Sequence, residues 1–143
     1  MGRGPARFAF GETRLISEFL AFQYPADQVM MRVRLGELLP QTPAEALSAE
    51  ELAMLGVFRR WADYVVIRPG ELVLGEGKMR AAPGAISQLE LYRDLVPHTS
   101  ELTDFPDRPL ALELLVAVPD PAVTRLAERH GVRLRVFRPD WLA

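Results

Sequence analysis

Cysteine is missing from this 143-residue chain, which removes disulfide frameworks, thiolate metal sites and iron–sulfur clusters from consideration. Histidine is nearly missing. His98 and His130 lie far apart in sequence, so a histidine-rich zinc site is not expected. Lysine is rarer still: of 17 lysines and arginines, Lys78 is the single lysine. Long hydrophobic runs are lacking too. No segment approaches the ~18 uninterrupted apolar residues of a membrane span, and the opening MGRGPARFAFGETR lacks the apolar stretch of a secretory signal. A cytoplasmic protein with no membrane partner is therefore expected. The net charge of −2 provides no broad cationic field. A nucleic-acid role would need a local basic face, or a second copy or larger complex to supply the grip.

What is present is an ordinary globular composition, 49% apolar and 25% charged, at a length suited to one domain. Residues 1–10 contain Gly2, Gly4 and Pro5 and are expected to be flexible. From about Glu12 to Phe22, Leu15, Ile16, Phe19, Leu20 and Phe22 recur at helical spacing, with Pro25 beyond the end. Residues 28–35 alternate Val29, Met31, Val33 and Leu35 against Met30, Arg32 and Arg34, a strand with one basic face. A helix capped at Thr42 or Ser48 should follow, running to about Arg60. Tyr64–Arg68 and Leu72–Met79 read as two strands around the turn Pro69-Gly70. A helix over Ala85–Val96, a polar loop from His98 to Pro109, and a buried strand Leu110–Val118 come next. Asp120-Pro121 caps a helix stopping at Gly131, and Val132–Phe137 closes the chain as a strand. The order predicts an α/β domain around a mixed sheet.

The hairpin carries the chemistry. A loop symmetric about Pro69-Gly70 pairs residues whose numbers sum to 139, so Val65 faces Leu74 and Asp63 faces Glu76. Opposed residues share a face, with Cβ atoms about 4.5–5.5 Å apart, and two carboxylates so placed repel. A divalent cation relieves that repulsion, and Mg²⁺ favours one or two carboxylates plus water and phosphate oxygens. Lys78, two residues past Glu76, projects from the same face. Metal-assisted attack on a phosphodiester is the matching chemistry, with the Gly77 carbonyl a further candidate ligand.

Asp63, then Glu76-Gly77-Lys78 on the next strand, then a helix carrying Gln88-x-x-x-Tyr92, resembles the PD-(D/E)XK nuclease superfamily and its RecB-like exonuclease branch. The resemblance implies a single restriction-endonuclease-like domain over residues 1–143, a mixed sheet with helices on both faces. It further implies Mg²⁺ (or Mn²⁺) on Asp63 and Glu76, and hydrolysis of DNA in repair, recombination, phage or mobile-element processing. Gln88 and Tyr92 would then shape the site and hold DNA, and Glu18 would be the first-helix carboxylate that adds a metal ligand in several members. Ala62 stands where many members have Pro, and no histidine precedes Asp63. Arg80 and Arg93 are candidate phosphate contacts, though a solvated face explains either. Arg32 with Arg34, or Arg133 with Arg135, could form the local basic face. A nuclease fold kept as a non-catalytic binding or assembly module is the competing function.

Overall fold

The computed structural model describes residues 3–36, 60–105 and 107–142, except the side chains of residues 3–10 and 60. Helix α1 (Arg3–Gln23) leads into β1 (Gln28–Leu35); β2 (Arg60–Arg68) and β3 (Glu71–Arg80) form the hairpin. Then follow α2 (Pro83–Leu95), β4 (Leu110–Val118), α3 (Pro121–Arg129) and β5 (Val132–Val136). Among the described residues, the five strands lie in sequence order in one sheet. The first two pairings are antiparallel and the last two parallel. This is the expected mixed sheet. The hairpin register is also the expected one, from Arg68↔Glu71 to Tyr64↔Gly75.

Local chemistry explains most boundaries. Pro83 occupies the first turn of α2, and Asp120 caps α3 by accepting the Ala122 and Val123 amides on its Oδ1 (2.8 and 3.2 Å). Gly131 (φ 71°) releases the chain into β5. Two boundaries differ from the sequence expectation. α1 begins at Arg3 rather than near Glu12, with Pro5 in the first turn, where its missing N–H costs nothing. β2 begins at Arg60, where the end of a helix was expected; the rest of that helix lies outside the described residues.

The helices cover both faces of the sheet. On one, Leu15, Ile16, Phe19 and Leu20 of α1 pack on Tyr64, Val66, Val73 and Leu115. On the other, Ile86, Leu89 and Tyr92 of α2 and Val123 and Ala127 of α3 pack on Val65, Leu74, Leu114 and Val116. Phe22 stays outside, 71% exposed, against the ring of Phe137. Two glycines let α1 and β2 approach β3 closely. The Tyr64 ring lies on Gly75, where any Cβ would overlap it, and a Cβ on Gly77 would come within 2.6 Å of Ile16 Cγ1.

A buried polar group pins the same region. Glu113 of β4 is wholly buried, yet it accepts from the hydroxyls of Tyr24 and Tyr64 (both 2.8 Å) and from Arg135 Nε (3.0 Å). A buried charge is tolerable when its lone pairs are satisfied in this way. Burial first, then the Glu113 carboxylate, pushes the Tyr24 hydroxyl up to about 12. Arg133 makes a bidentate contact with Glu71 (2.6 and 2.9 Å). Arg133 and Arg135 are thus spent on internal ion pairs and do not form the candidate basic face.

Because Glu113 fixes the Tyr64 ring over Gly75, Gly75→Ala should destabilise the protein by roughly 3 kcal/mol through overpacking. Gly70→Ala, with nothing within 4 Å of its added Cβ, should stay within about 0.5 kcal/mol. Urea unfolding of the two variants measures the difference.

Candidate active site

The site grows out of the place where the hairpin stops pairing. The β2–β3 ladder ends at Tyr64↔Gly75, so past that point β3 presents backbone N–H groups with no strand to receive them. Such groups require acceptors. Asp63 Oδ2 accepts the Gly77 amide at 2.8 Å, and the carboxylate of Glu12, from α1, accepts the Met79 amide. Two carboxylates thus replace the missing strand partner at alternate residues of one edge.

Glu76 lies between them, continuing the row of Leu72 and Leu74 on β3. It is 4% exposed. Its carboxyl lies within hydrogen-bonding reach of Asp63, so the two acids expected to oppose each other do meet. Lys78 Nζ stands 3.5 Å from Glu76 Oε2, while Glu76 Oε1 is buried with no hydrogen-bond partner. Burial pushes the Glu76 carboxyl up to about 8, helped by the negative charge of Asp63 and opposed by Lys78. Burial also raises Asp63, against the Gly77 amide, Lys78 and Arg32. Glu12 is raised by burial too, against Lys78 and the Met79 amide. Three carboxyl groups therefore share the field of one lysine, and all three are held above their ordinary range.

Glu12 was not singled out in the sequence, where Glu18 was. Glu18 is held by Arg14 Nε (2.9 Å) and by Trp141 Nε1 (3.0 and 3.1 Å), and those contacts lower its pKa. The helical wheel held the missed signal: Glu12 lies four residues before Ile16 and three before Leu15, in line with the buried stripe, whereas Glu18 falls beside it. Gly77, besides its candidate carbonyl, has a packing role under Ile16 and donates its amide to Asp63.

The α2 residues separate. Tyr92 is 2% exposed and belongs to the core under the sheet, so its ring is not a surface for DNA. Gln88, one turn earlier, is half-buried. Arg80 is exposed at the end of β3, and Arg93 faces Asp94 at 4.0 Å. His130, at the end of α3, contacts Glu90 (3.0 Å).

Among the described residues, no three His, Asp or Glu side chains converge tightly enough to cage an ion by themselves. The donor set that fits an ion is the Asp63–Glu76 pair, two carboxyl groups within reach of each other with one Glu76 oxygen lacking a protein donor. Two carboxylates with water or phosphate oxygens completing the shell is the coordination Mg²⁺ accepts.

The arrangement of strands and helices is shared with a repair endonuclease from Pyrococcus abyssi (TM-score 0.52, 15% identity, 88% of this chain and 46% of that one). It is shared equally with EndoMS in a complex with dsDNA (TM-score 0.52, 19% identity, 90% of this chain and 45% of that one). The fold is restriction-endonuclease-like. A protein of unknown function shows the same arrangement at a TM-score of 0.50 and 11% identity, over 85% of this chain and 56% of the other. The chain spans about half the length of these proteins, and identities this low carry the fold alone. No family model and no curated protein sequence matches it. No helix among the described residues is long and apolar enough to cross a membrane.

The raised carboxyls make stability depend on pH with a definite sign. Between the ordinary value of 4.5 and about 8, folded Glu76 keeps a proton that the unfolded chain has released. Stability of the metal-free protein should therefore fall as pH rises through that window and level off above it. Glu76→Gln removes the charge but keeps the shape. Thermal melts in EDTA should show it more stable than wild type by roughly 2–4 kcal/mol at pH 8.5, with little difference at pH 4.

Proposed function

We propose that this chain is a metal-dependent nuclease that hydrolyses DNA phosphodiester bonds in repair or recombination. The observation that carries the reading is the buried, unpartnered oxygen of Glu76 beside Asp63, with the single lysine of the chain at its other oxygen. The likeness of fold to a repair endonuclease and to EndoMS, captured with dsDNA, supports the same choice.

Asp63 and Glu76 would hold Mg²⁺ or Mn²⁺, and the Gly77 carbonyl is available to it. When bound, the ion supplies Lewis acidity toward the scissile phosphate and lowers the pKa of an attacking water. The chain's own residues do the rest. The Gly77 amide fixes the Asp63 carboxylate, so the site is pre-organised rather than gathered on binding. Lys78, held near Glu76, places a compact positive charge where charge builds on the phosphate or its nucleophile. Glu12, anchored by the Met79 amide and in the field of Lys78, restrains that ammonium as a supporting residue from the first helix. Gln88 with Tyr92 points to the RecB-like branch, Tyr92 acting from the core to set the pitch of α2 beneath Gln88. Arg80 and Arg93 are the proposed phosphate contacts. With a net charge of −2, a second copy or a larger complex would share in gripping the DNA.

The test is cleavage of linear, circular and branched DNA with Mg²⁺ or Mn²⁺. Glu76→Ala and Lys78→Ala should each lose at least about 100-fold in rate. Glu12→Gln should lose roughly 10-fold and Glu18→Gln under about 3-fold, as expected of a supporting residue and a distant one. Activity that survives both alanine substitutions would overturn the mechanism. No cleavage of any substrate by the wild type would favour the binding-module role instead.

A further inference from the structure

The strand that borders the sheet carries an arrangement that packing does not require. Among the described residues β1 is an edge strand. On its pairing with β2, Arg34 stands directly opposite Trp61, and Arg32 falls opposite Asp63, between the couples Met31↔Tyr64 and Val33↔Ala62. Trp61 is 48% exposed. The guanidinium carbons of Arg32 and Arg34 lie 5.5 and 5.8 Å from the centre of its ring. Both arginines are exposed. Arginines alone would protect a sheet edge from pairing with other chains, but that purpose gives no reason to leave an indole in water.

The backbone marks the same spot. Arg32 has φ 54°, the left-handed region that side chains other than Gly, Asn and Asp seldom enter. The inward–outward alternation of β1 breaks there: Met30 packs toward the α2 face, and so do Val33 and Leu35. Strained residues of this kind concentrate at functional sites. Here the Arg32 guanidinium reaches the Trp61 ring, and Arg32 is also among the charges acting on the Asp63 carboxyl. Arg32 thus links the aromatic patch to the acidic notch by its charge. Trp61 lies two residues from Asp63, roughly 7 Å along the strand, about the reach of one nucleotide.

From this geometry we infer that Trp61, Arg32 and Arg34 form a binding site for an unpaired nucleotide of the DNA substrate, beside the scissile phosphate. The indole stacks on the exposed base and the two guanidiniums take the flanking phosphates. Every base offers a π-face, so the contact is indifferent to sequence, but it requires a base that is not stacked within a duplex. Charge complementarity selects a nucleic acid over an apolar partner: two cations flank one ring beside a cluster of acids that needs a cation of its own. The substrate class that follows is single-stranded DNA, or duplex DNA with a frayed, flapped or mismatched nucleotide, in preference to blunt paired duplex. This assignment rests on the nuclease reading for the identity of its ligand.

The test separates the two. Binding of a labelled single-stranded oligonucleotide, and of a blunt duplex of the same length, is followed by fluorescence anisotropy in EDTA, where cleavage plays no part. Wild type should favour the single strand. Trp61→Ala should weaken single-strand binding by roughly 5- to 100-fold, and Trp61→Phe, which keeps a ring, should recover most of that loss. The double variant Arg32→Gln with Arg34→Gln should weaken binding and reduce the salt slope by about 1.4, the value for two phosphate contacts on a single strand. Thermal melts confirm that each variant is folded. Trp61→Ala binding as wild type does, equal binding of both oligonucleotides, or no binding of either would overturn the assignment. Failure of the wild type to cleave any DNA while these binding differences hold would instead condemn the nuclease reading and leave the patch standing.

Discussion

The end of the β2–β3 ladder is the constraint on which the rest of this molecule depends. A hairpin that kept pairing would satisfy the edge of β3 with backbone carbonyls and leave no room for chemistry. Here pairing stops at Tyr64 and Gly75, and the Gly77 and Met79 amides turn to the side chains of Asp63 and Glu12. An obligatory backbone requirement thereby becomes the device that positions two acids. The third, Glu76, is carried into the same notch by strand alternation. Because these contacts use backbone and rigid strands, the acids are held without help from a mobile loop.

The surrounding architecture keeps that opening in place. Tyr64 ends the pairing of β2 with β3, and its hydroxyl is tied to Glu113 of β4 while its ring rests on Gly75. Ile16 of α1 seats on Gly77, which brings Glu12, one turn earlier, to the edge of β3. The two buried acids differ instructively. Glu113 has three donors and is internally complete. Glu76 has a lysine 3.5 Å from one oxygen and otherwise only the carboxyl of Asp63 within reach. Similar burial with opposite satisfaction sets Glu113, which is internally complete, apart from Glu76, which is not.

Much of this was legible in the sequence because it depends on local rules. The hairpin register followed from Pro69-Gly70 and the period of two, and it placed Asp63 with Glu76 and Lys78 on the correct side. The Asp120 cap and the buried β4 followed from equally local signals. What escaped depended on tertiary packing. Glu12 reaches the edge of β3 only because α1 seats on Gly77, and Glu18 is engaged by Arg14 and by Trp141, the latter 123 residues away. The break in β1 at Arg32 was hidden because an unbroken alternation fits the same letters. Arg133 and Arg135 looked like free charge until Glu71 and Glu113 were found opposite them.

The central claim is that the Asp63–Glu76 pair is incomplete without a divalent cation. Calorimetric titration of Mn²⁺ into the metal-free protein at pH 7, in two buffers of different ionisation enthalpy, tests it most directly. With Glu76 protonated at that pH when no ion is present, binding should release about one proton per ion, and both binding and proton release should disappear in Asp63→Asn. No binding, or binding without proton release that persists in Asp63→Asn, would contradict it.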